Sequence, residues 1–338
     1  MRTVTLTGTE VVTSKLGFGC SALIGGRSRT EALRLLEAAY DSGIRHFDVA
    51  RLYGTGDAED VLGEFATRRR SNITIATKFG ISPTPSTLGT GIAKSLVRFA
   101  ARRSRRALHL ARRYGRWTIR RRGQFTPDAA ITSLVASLTK LRTEYIDVLL
   151  LHDCTAADWH SQALLSTLEE VVSRGQARVI GTATSFRTSE EIFAGAMPHP
   201  SIVQFEDDML LNNLPSFRGI ARDAAVITHG TFRNLLSALC QRLIHDPDLT
   251  ATWKQRLDVD VSRPEIVAGL LLSYSLHANS DGVVLFSSGD PARIAANARI
   301  ASEIAFEQAQ LYEFARLVRE ALRSNEPADI AGRNKGIR

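Results

Sequence analysis

Eight short apolar segments recur along this chain, and most of them are followed by a stretch with the apolar spacing of a helix. The eight segments are residues 16–23, 47–50, 73–79, 147–152, 177–183, 201–205, 225–228 and 283–286. Their length and apolar character are typical of buried strands. Strands that alternate with helices form parallel sheets, because each helix returns the chain to the start of the next strand. Eight such units predict an α/β fold of the closed (β/α)8 type, a TIM barrel.

The first predicted strand disfavours the alternative of an open doubly wound sheet. An open sheet of that kind binds a dinucleotide through an early GxGxxG turn between its first strand and first helix. Here the corresponding residues are GFGCSALIGG, which begin at Gly17 and lack that spacing. The barrel is therefore the preferred prediction.

Two helix starts carry recognisable capping signals. Ser28 and Glu31 have the spacing of a capping box, in which the serine accepts from the first backbone N–H groups and the glutamate reaches back. Gly43 is placed to end that helix. Thr126 and Pro127 match an N-cap followed by proline at the first helical position. The sequence therefore predicts helices that begin after Ser28 and after Thr126.

The chain of 338 residues is long enough for one barrel domain over residues 1–338, and its 44% of hydrophobic residues can supply a large core. Its three cysteines, Cys20, Cys154 and Cys240, form no CxxC pair, so neither a zinc site nor a disulfide framework is indicated. The first residues lack the pattern of a signal peptide, and no apolar run reaches the ~18 residues of a membrane span. We therefore expect a cytoplasmic protein that uses no metal.

Positive charge is concentrated in a long insertion after the third predicted strand, residues 80–125. Residues 81–127 contain eleven arginines, Lys94 and no acidic residue, which is a charge of +12 in a chain of net charge +8, so the other residues carry −4. A loop of this length would overhang the mouth of the barrel. It could be a solvated lid, a funnel for anionic substrates or a partner surface, or a membrane-surface helix. Nucleic-acid binding is disfavoured, since Phe99, Tyr114 and Trp117 are the few aromatic residues that could stack on bases.

Ionisable residues stand near the ends of the second, third and fourth predicted strands. Asp48 lies in HFDVARLYG, and Tyr53 follows shortly after it. Lys78 stands at the end of ITIATKF, and His152 closes DVLLLH. Each has an ordinary structural explanation when taken alone, although a lysine directly after an apolar strand must find a partner to offset its desolvation. Barrels of this type carry their active sites at the carboxyl ends of the strands, so the four residues together predict an active site.

Three of these segments also resemble a known family. HFDVARLYG, TKFG and LLLHD are similar, in the same order, to the signature segments of the aldo-keto reductases, and the resemblance extends from about residue 15 to about residue 297. It implies that the catalytic tetrad is Asp48, Tyr53, Lys78 and His152. It also implies a barrel that binds a nicotinamide dinucleotide without a Rossmann domain. The expected function is reduction of a small-molecule aldehyde or ketone with NADPH.

The four residue types suit carbonyl reduction, which needs a hydride at carbon and a proton at oxygen. A tyrosine phenol, with an ordinary pKa of ~10, is a weak acid at neutral pH. The ammonium group of Lys78 favours the phenolate and should therefore ease proton donation by Tyr53. Asp48 would hold Lys78 charged, and His152 would orient the substrate oxygen. The hydride chemistry belongs to the cofactor.

The segment FSSGDPARIAAN, which includes the end of the last predicted strand, resembles the family's site for the adenosine half of the cofactor. Ser288, Arg293 and Asn297 match the family's spacing and imply contacts to the 2′-phosphate and the adenine. The start of the next helix also suits an anion. Gln204 in IVQFE matches the glutamine that contacts the nicotinamide amide. The alternative is a helix that opens at Asp290 with a solvated arginine.

The sequence departs from the family pattern around the cofactor. The serine–asparagine pair after the fifth strand is Ala183-Thr184 here, so the family's side chains for both amide contacts are replaced. The aromatic residue that stacks on the nicotinamide falls near His229, and the lysine that commonly precedes Ser288 is Ser287. These changes bear on cofactor affinity and choice and leave the tetrad complete.

Two other functions are compatible with the same residues. Lys78 at a strand end could attack a carbonyl group, as in a Schiff-base lyase. The barrel could also be a sensor that binds NADPH with little turnover, which Ala183 and Thr184 favour and the complete tetrad disfavours. Neither the substrate nor the oligomeric state can be inferred from the sequence.

Overall fold

Eight parallel strands form a closed barrel in the computed structural model, which describes residues 1–24, 26–81, 123–303 and 305–323. The barrel strands are β3 (Leu16–Gly19), β4 (His46–Asp48), β5 (Thr74–Phe79), β6 (Ile146–His152), β7 (Ala177–Ala183), β8 (Ile202–Glu206), β9 (Ala225–His229) and β10 (Val283–Phe286). Strand β10 pairs with both β9 and β3, which closes the circle. The predicted (β/α)8 barrel is confirmed.

Helices follow the strands and pack around the barrel. They are α1 (Arg29–Asp41), α2 (Ala58–Ala66), α3 (Pro127–Leu141), α4 (Ala156–Trp159), α5 (Gln162–Ser173), α6 (Phe186–Ala194), α7 (Asn213–Ile220), α8 (Arg233–His245), α9 (Pro247–Leu257), α10 (Pro264–Ala278), α11 (Pro291–Ser302) and α12 (Gln308–Arg323). The two predicted helix starts are confirmed. Ser28 and Glu31 form a capping box at α1, and the Thr126 side chain accepts from Ala129 N at the start of α3.

Two details at the start of the chain differ from the sequence-based expectation. A two-stranded antiparallel hairpin, β1 (Thr3–Thr5) and β2 (Val12–Ser14), precedes the barrel and was not predicted. Its buried residues Leu6 and Val11 belong to an apolar cluster with residues of the barrel strands. The first barrel strand is also shorter than predicted, because Cys20–Ala22 forms a 3-10 turn.

The main core lies between the barrel and the surrounding helices. Phe18, Phe47 and Phe65 meet there through edge and tilted ring contacts, with centroids 5.4–6.4 Å apart. A second cluster joins α8 to α10 with α12, and Trp253 packs edge-on against Phe314 within it. This packing holds the carboxyl ends of the strands in place, because a close-packed core resists displacement.

Most of the predicted arginine-rich insertion, residues 82–122, lies outside the described residues, so the interpretations of its role stay predictions. Its two ends meet at the end of β5. The backbone N–H of Gln124 donates to the Gly80 carbonyl at 2.9 Å, and the Phe125 ring packs against Phe79 with centroids 6.0 Å apart. Within the ranges that are described, no helix combines the length and apolar character needed to cross a membrane.

Candidate active site

An ion pair between two neighbouring strands lies at the centre of the site. Asp48 ends β4, and Lys78 lies one residue before the end of β5. Lys78 Nζ is 2.6 Å and 2.7 Å from the two carboxylate oxygens of Asp48 and 3.3 Å from the Val49 carbonyl. Asp48 Oδ2 also accepts from Gln204 Nε2 at 2.8 Å. Lys78 and Asp48 are only 2% and 3% exposed, so each charge depends on the other for compensation.

Lys78 carries its proton at neutral pH. Burial lowers the pKa of Lys78, but the neighbouring Asp48 and Tyr53 outweigh burial and raise the pKa above its ordinary value. An amine attacks a carbonyl only as the neutral base. The ion pair therefore disfavours a Schiff-base role for Lys78.

Tyr53 lies beside this lysine in a 3-10 turn, Tyr53–Gly56, that follows β4. The Lys78 ammonium nitrogen is 5.3 Å from the centroid of the Tyr53 ring. Burial raises the pKa of the phenol, and the charge of Lys78 lowers it without cancelling the effect of burial. The effect of Lys78 has the expected direction, but the net pKa lies above the ordinary value. The phenol of Tyr53 is therefore protonated at neutral pH.

His152, at the end of β6, completes the group. Its ring stands edge-on to Tyr53, with centroids 6.2 Å apart and an interplanar angle of 89°. His152 Nδ1 is buried and has no hydrogen-bond partner among the described residues. Burial and the charge of Lys78 lower the pKa of His152 to about 3, so the imidazole is neutral. A neutral imidazole can donate one hydrogen bond and accept another.

The tetrad predicted from the sequence opens into one cavity of about 600 Å³ at the carboxyl ends of the strands. Asp48, Tyr53, Lys78 and His152 all line it. So do Gln204, His229, Ala183, Thr184 and Ser287. Burial lowers the pKa of His229 to about 4, so this second imidazole is also neutral. A cavity of this size is in the ordinary range for small-molecule and cofactor sites.

The predicted adenosine-binding residues follow directly after Ser287, at the start of α11. Asp290 caps this helix by accepting from Ala292 N at 2.9 Å, and Ser288 Oγ accepts from Asp290 N at 3.2 Å. Arg293 Nε lies 3.5 Å from the Asp290 carboxylate, and its side chain is 80% exposed. Asn297 is partly buried one turn further along. The helix therefore opens at Asp290 with an exposed arginine, as in the alternative interpretation, and that guanidinium is accessible to a ligand.

The loops after β3 and β10 approach each other closely at the edge of the cavity. A Cβ atom at Gly19 would lie 2.7 Å from Ser287 Oγ, and one at Gly289 would lie 1.6 Å from a nitrogen of Arg27. Side chains of the opposite loop therefore fill the space beside the backbone at Gly19 and Gly289. The unpartnered His152 Nδ1 in the cavity and the exposed guanidinium of Arg293 beyond Ser287 fit the polar and anionic groups of a nicotinamide dinucleotide.

Comparison with known proteins agrees with this geometry. The model of the Aldo/keto reductase family matches residues 15–222, which is more than half of the chain. The chain belongs to this family. The resemblance inferred from the signature segments is therefore confirmed.

Relatives of this aldo-keto reductase include an oxidoreductase of uncharacterized function, YqkF of Bacillus subtilis (strain 168), which is 27% identical over 54% of this chain and 49% of that protein. D-threo-aldose 1-dehydrogenase of a Pseudomonas species is 32% identical over 49% of this chain and 48% of that protein. The chain spans about half the length of these curated relatives. Among solved structures, the holo form of aldo-keto reductase AKR11C1 from Bacillus halodurans has a TM-score of 0.67 and 20% identity, covering 94% of this chain and 96% of that chain. At this identity the likeness shows the fold.

Two contacts and one lining residue of this aldo-keto reductase were not predicted. Gln204 donates to Asp48 inside the site, and Arg233 pairs with Glu206 at the rim. Asp153, directly after His152, lines the cavity in a left-handed backbone conformation with φ of 54°. Burial raises the pKa of the Asp153 carboxyl group. The sequence carried a signal only for Asp153, which stands at a strand end within LLLHD.

The hydroxyl and the backbone N–H of Thr184 already donate hydrogen bonds within the protein. Its hydroxyl donates to the Cys154 carbonyl at 3.2 Å, and its backbone N–H donates to the Gln204 carbonyl at 3.1 Å. Ala183 has no side-chain donor or acceptor. This side of the cavity therefore offers fewer polar side-chain contacts than the family's serine–asparagine pair.

Proposed function

We propose that this protein reduces a small-molecule aldehyde or ketone with NADPH and that Tyr53 donates the proton. The observation that carries the proposal is the buried Lys78–Asp48 ion pair, with Tyr53 beside its ammonium group and His152 edge-on to Tyr53. These groups line one cavity at the carboxyl ends of the strands. Active sites of this barrel fold lie at that end.

Each member of the tetrad has one task in this proposal. Tyr53 transfers its phenolic proton to the substrate oxygen as charge develops there. Lys78 lowers the energy of the phenolate that remains, because its ammonium is held close and charged. Asp48 keeps Lys78 protonated and in position through two short hydrogen bonds. The neutral His152 donates a hydrogen bond to the same substrate oxygen and orients it.

The bound nicotinamide supplies the hydride. We propose that Gln204 and His229, which both line the cavity, hold the nicotinamide ring. Ser288, Arg293 and Asn297 would hold the adenosine end, where the exposed guanidinium of Arg293 can meet a 2′-phosphate with paired N–H donors. This arrangement supports a preference for NADPH over NADH.

The compartment and the partners follow from the same proposal. Cys20, Cys154 and Cys240 are free thiols, which suits a reducing compartment such as the cytoplasm. The partner is then a small carbonyl compound. D-threo-aldose 1-dehydrogenase, one of the relatives, is named for an aldose substrate, and hydroxylated carbonyl compounds are therefore sensible first substrates to try.

The proposal is tested by following NADPH oxidation with a panel of aldehydes, ketones and aldoses. Turnover that depends on Tyr53 supports carbonyl reduction. NADPH binding without turnover on any compound would instead support the sensor function. Borohydride trapping of a substrate on Lys78 would support the Schiff-base alternative.

A further inference from the structure

Two loops at the mouth of the barrel are joined beside the proposed cofactor site. Ser287 Oγ donates to the Gly19 carbonyl at 2.7 Å, across 268 positions of sequence. This bond connects the loop after β10 with the loop after β3, the first strand of the barrel. A residue from the first loop can therefore lie next to the residues that start α11.

Arg27 occupies that position. Its Nη1 donates to the Ala22 carbonyl at 2.7 Å, and its backbone N–H donates to the Ile24 carbonyl at 2.9 Å. These bonds aim the guanidinium group across the gap at Gly289. A Cβ atom at Gly289 would lie 1.6 Å from Arg27 Nη2 and 2.5 Å from Cζ, so the guanidinium lies directly on the backbone of the second loop.

Arg293 and Arg27, the two arginines beside this loop, differ in whether a carboxylate lies next to them. Arg293 already has a carboxylate neighbour, since its Nε lies 3.5 Å from Asp290. Arg27 makes no ion pair with any carboxylate of the described residues, although its side chain is half-buried. A partly desolvated cation is stabilised by an anion that reaches its free N–H groups. Of these two arginines, Arg27 is therefore the one whose charge has no carboxylate partner in the described part of the chain and can be paired with an anionic ligand.

We propose that Arg27 binds a phosphate group of the nicotinamide dinucleotide and so acts as a cofactor-binding residue from the opposite side to Arg293. This inference rests on the proposed function, because it assumes that the dinucleotide lies along the loop from Ser287 to Asp290. The planar guanidinium can meet phosphate oxygens with two parallel N–H groups while one nitrogen keeps its bond to Ala22. A dinucleotide bound along this loop would offer Arg27 either its 2′-phosphate or its diphosphate.

The test measures the dissociation constants of NADPH and NADH by calorimetry for the wild type, Arg27→Ala and Arg27→Lys. Arg34→Ala is the matched control, because Arg34 is an exposed arginine of α1 and its loss changes the net charge equally. We expect Arg27→Ala to weaken NADPH binding about tenfold or more, as for loss of a charge-assisted hydrogen bond. Arg27→Lys should retain part of the affinity, and Arg34→Ala should bind as the wild type does.

Comparison of the affinities for NADPH and NADH identifies which phosphate Arg27 contacts. Loss confined to NADPH assigns Arg27 to the 2′-phosphate, and equal loss for both cofactors assigns it to the diphosphate. The salt dependence of NADPH binding should also become shallower in Arg27→Ala and not in Arg34→Ala, because one charge–phosphate contact is gone. A merely structural role for Arg27 would not change the salt dependence.

Gly289→Ala tests the same Arg27–phosphate contact in a second way, since the added methyl group displaces the guanidinium without removing its charge. Its effect on NADPH affinity should largely disappear in the Arg27→Ala background, because both changes break one contact. Unchanged NADPH affinity in Arg27→Ala would overturn the role of Arg27 alone. A wild-type protein that binds neither cofactor would overturn the proposed function together with this inference.

Discussion

Lys78 and Asp48 show how strongly single residues of this site depend on each other. Both charges are buried within hydrogen-bond distance. Removal of one member of a buried pair leaves an uncompensated charge and costs about 3–5 kcal/mol of stability. Loss of activity in a single variant therefore mixes folding with chemistry, and a variant that removes both charges separates the two effects.

Tyr53→Phe should abolish carbonyl reduction and leave NADPH affinity nearly unchanged. The substitution removes the proposed proton donor and keeps the ring that contacts His152. Tyr145→Phe, which changes a tyrosine just before β6 at the opposite end of the barrel, is the control and should keep full turnover. Turnover above about a tenth of wild type, a barrier change under ~1.4 kcal/mol, would show that Tyr53 is not the proton donor.

Lys78→Met should lower turnover and move the pH–rate profile to higher pH. The Lys78 ammonium lowers the pKa of the Tyr53 phenol, so the pKa of the phenol rises further without it. The single variant leaves Asp48 buried without its cation, so Asp48→Asn/Lys78→Met is measured beside it. The double variant should recover stability without recovering activity. A pH profile that does not move would contradict the coupling between Lys78 and Tyr53.

Arg293→Ala should weaken NADPH binding about tenfold and NADH binding hardly at all, because only NADPH carries the 2′-phosphate. The change also leaves Asp290 without its neighbouring cation, which adds repulsion toward a phosphate. Arg299→Ala, on the last turn of the same helix, is the control and should leave both affinities unchanged. Equal weakening of both cofactors would mean that Arg293 supports the fold or contacts the shared part of the dinucleotide.

At the scale of elements, strand ends and helix starts set the position of the site. The predicted strands agree with the observed ones to within a few residues, because alternation of apolar strands and amphipathic helices is a local property of the chain. Caps are equally local: Ser28 with Glu31 and Thr126 with Ala129 need only a few neighbouring residues. The positions of Asp48, Lys78 and His152 near strand ends were therefore predictable, and Tyr53 lies in the turn that follows β4.

Replacement of residues 82–122 by a short Gly/Ser linker should leave a cooperatively folding barrel. The two ends of this segment are already joined by the Gln124–Gly80 hydrogen bond, and shortening a loop changes its closure entropy little. Chemical unfolding followed by circular dichroism measures the result. Loss of cooperative unfolding would show that the arginine-rich segment contributes to the packed structure.

A second variant separates the contribution of the interior of the segment from that of its end at Phe125. Phe125→Ala in the linker background removes the contact with Phe79 and should cost about 3 kcal/mol of stability. The linker variant that keeps Phe125 should lose much less. Equal losses would mean that the end of the segment, and not its interior, was disturbed by the replacement.

At the scale of the whole molecule, buried neutral histidines make stability depend on pH. His46 is fully buried in β4, and neither ring nitrogen has a partner in the described part of the chain. Burial lowers the pKa of His46 to about 4 from an ordinary value of 6.5. Asp48 and Asp147 oppose this effect, and Lys78 adds to it. His152 and His229 are shifted in the same direction.

These three histidines should therefore make the free energy of unfolding fall as the pH drops from 6.5 toward 4, because the unfolded chain binds their protons first. Asp207 opposes this change, because burial raises the pKa of its carboxyl group to about 6 and the folded chain binds that proton first. Each such histidine contributes up to about 1.4 kcal/mol per pH unit in this window. His46→Leu should reduce the slope in urea unfolding. His245→Gln, which changes an exposed histidine at the end of α8, should keep the wild-type slope. Identical slopes for wild type and His46→Leu would show that His46 is not the source.

The sequence by itself determined the eight-strand barrel and the helix starts, and it pointed to the four residues proposed as the tetrad, because periodicity, caps and strand ends depend on neighbouring residues. The N-terminal hairpin escaped prediction, since its strands are only three residues long and carry mixed polar and apolar side chains.

Only the tertiary structure decided which distant groups meet and how they ionise. The bond of Gln204 to Asp48 and the approach of Arg27 to Gly289 join segments more than 150 residues apart, and closure of the barrel brings them together. The pKa shifts of Tyr53 and His152 depend on burial, which exists only after folding. Residue types and order therefore identify the chemistry, whereas the burial and contacts that tune it come from the closed barrel.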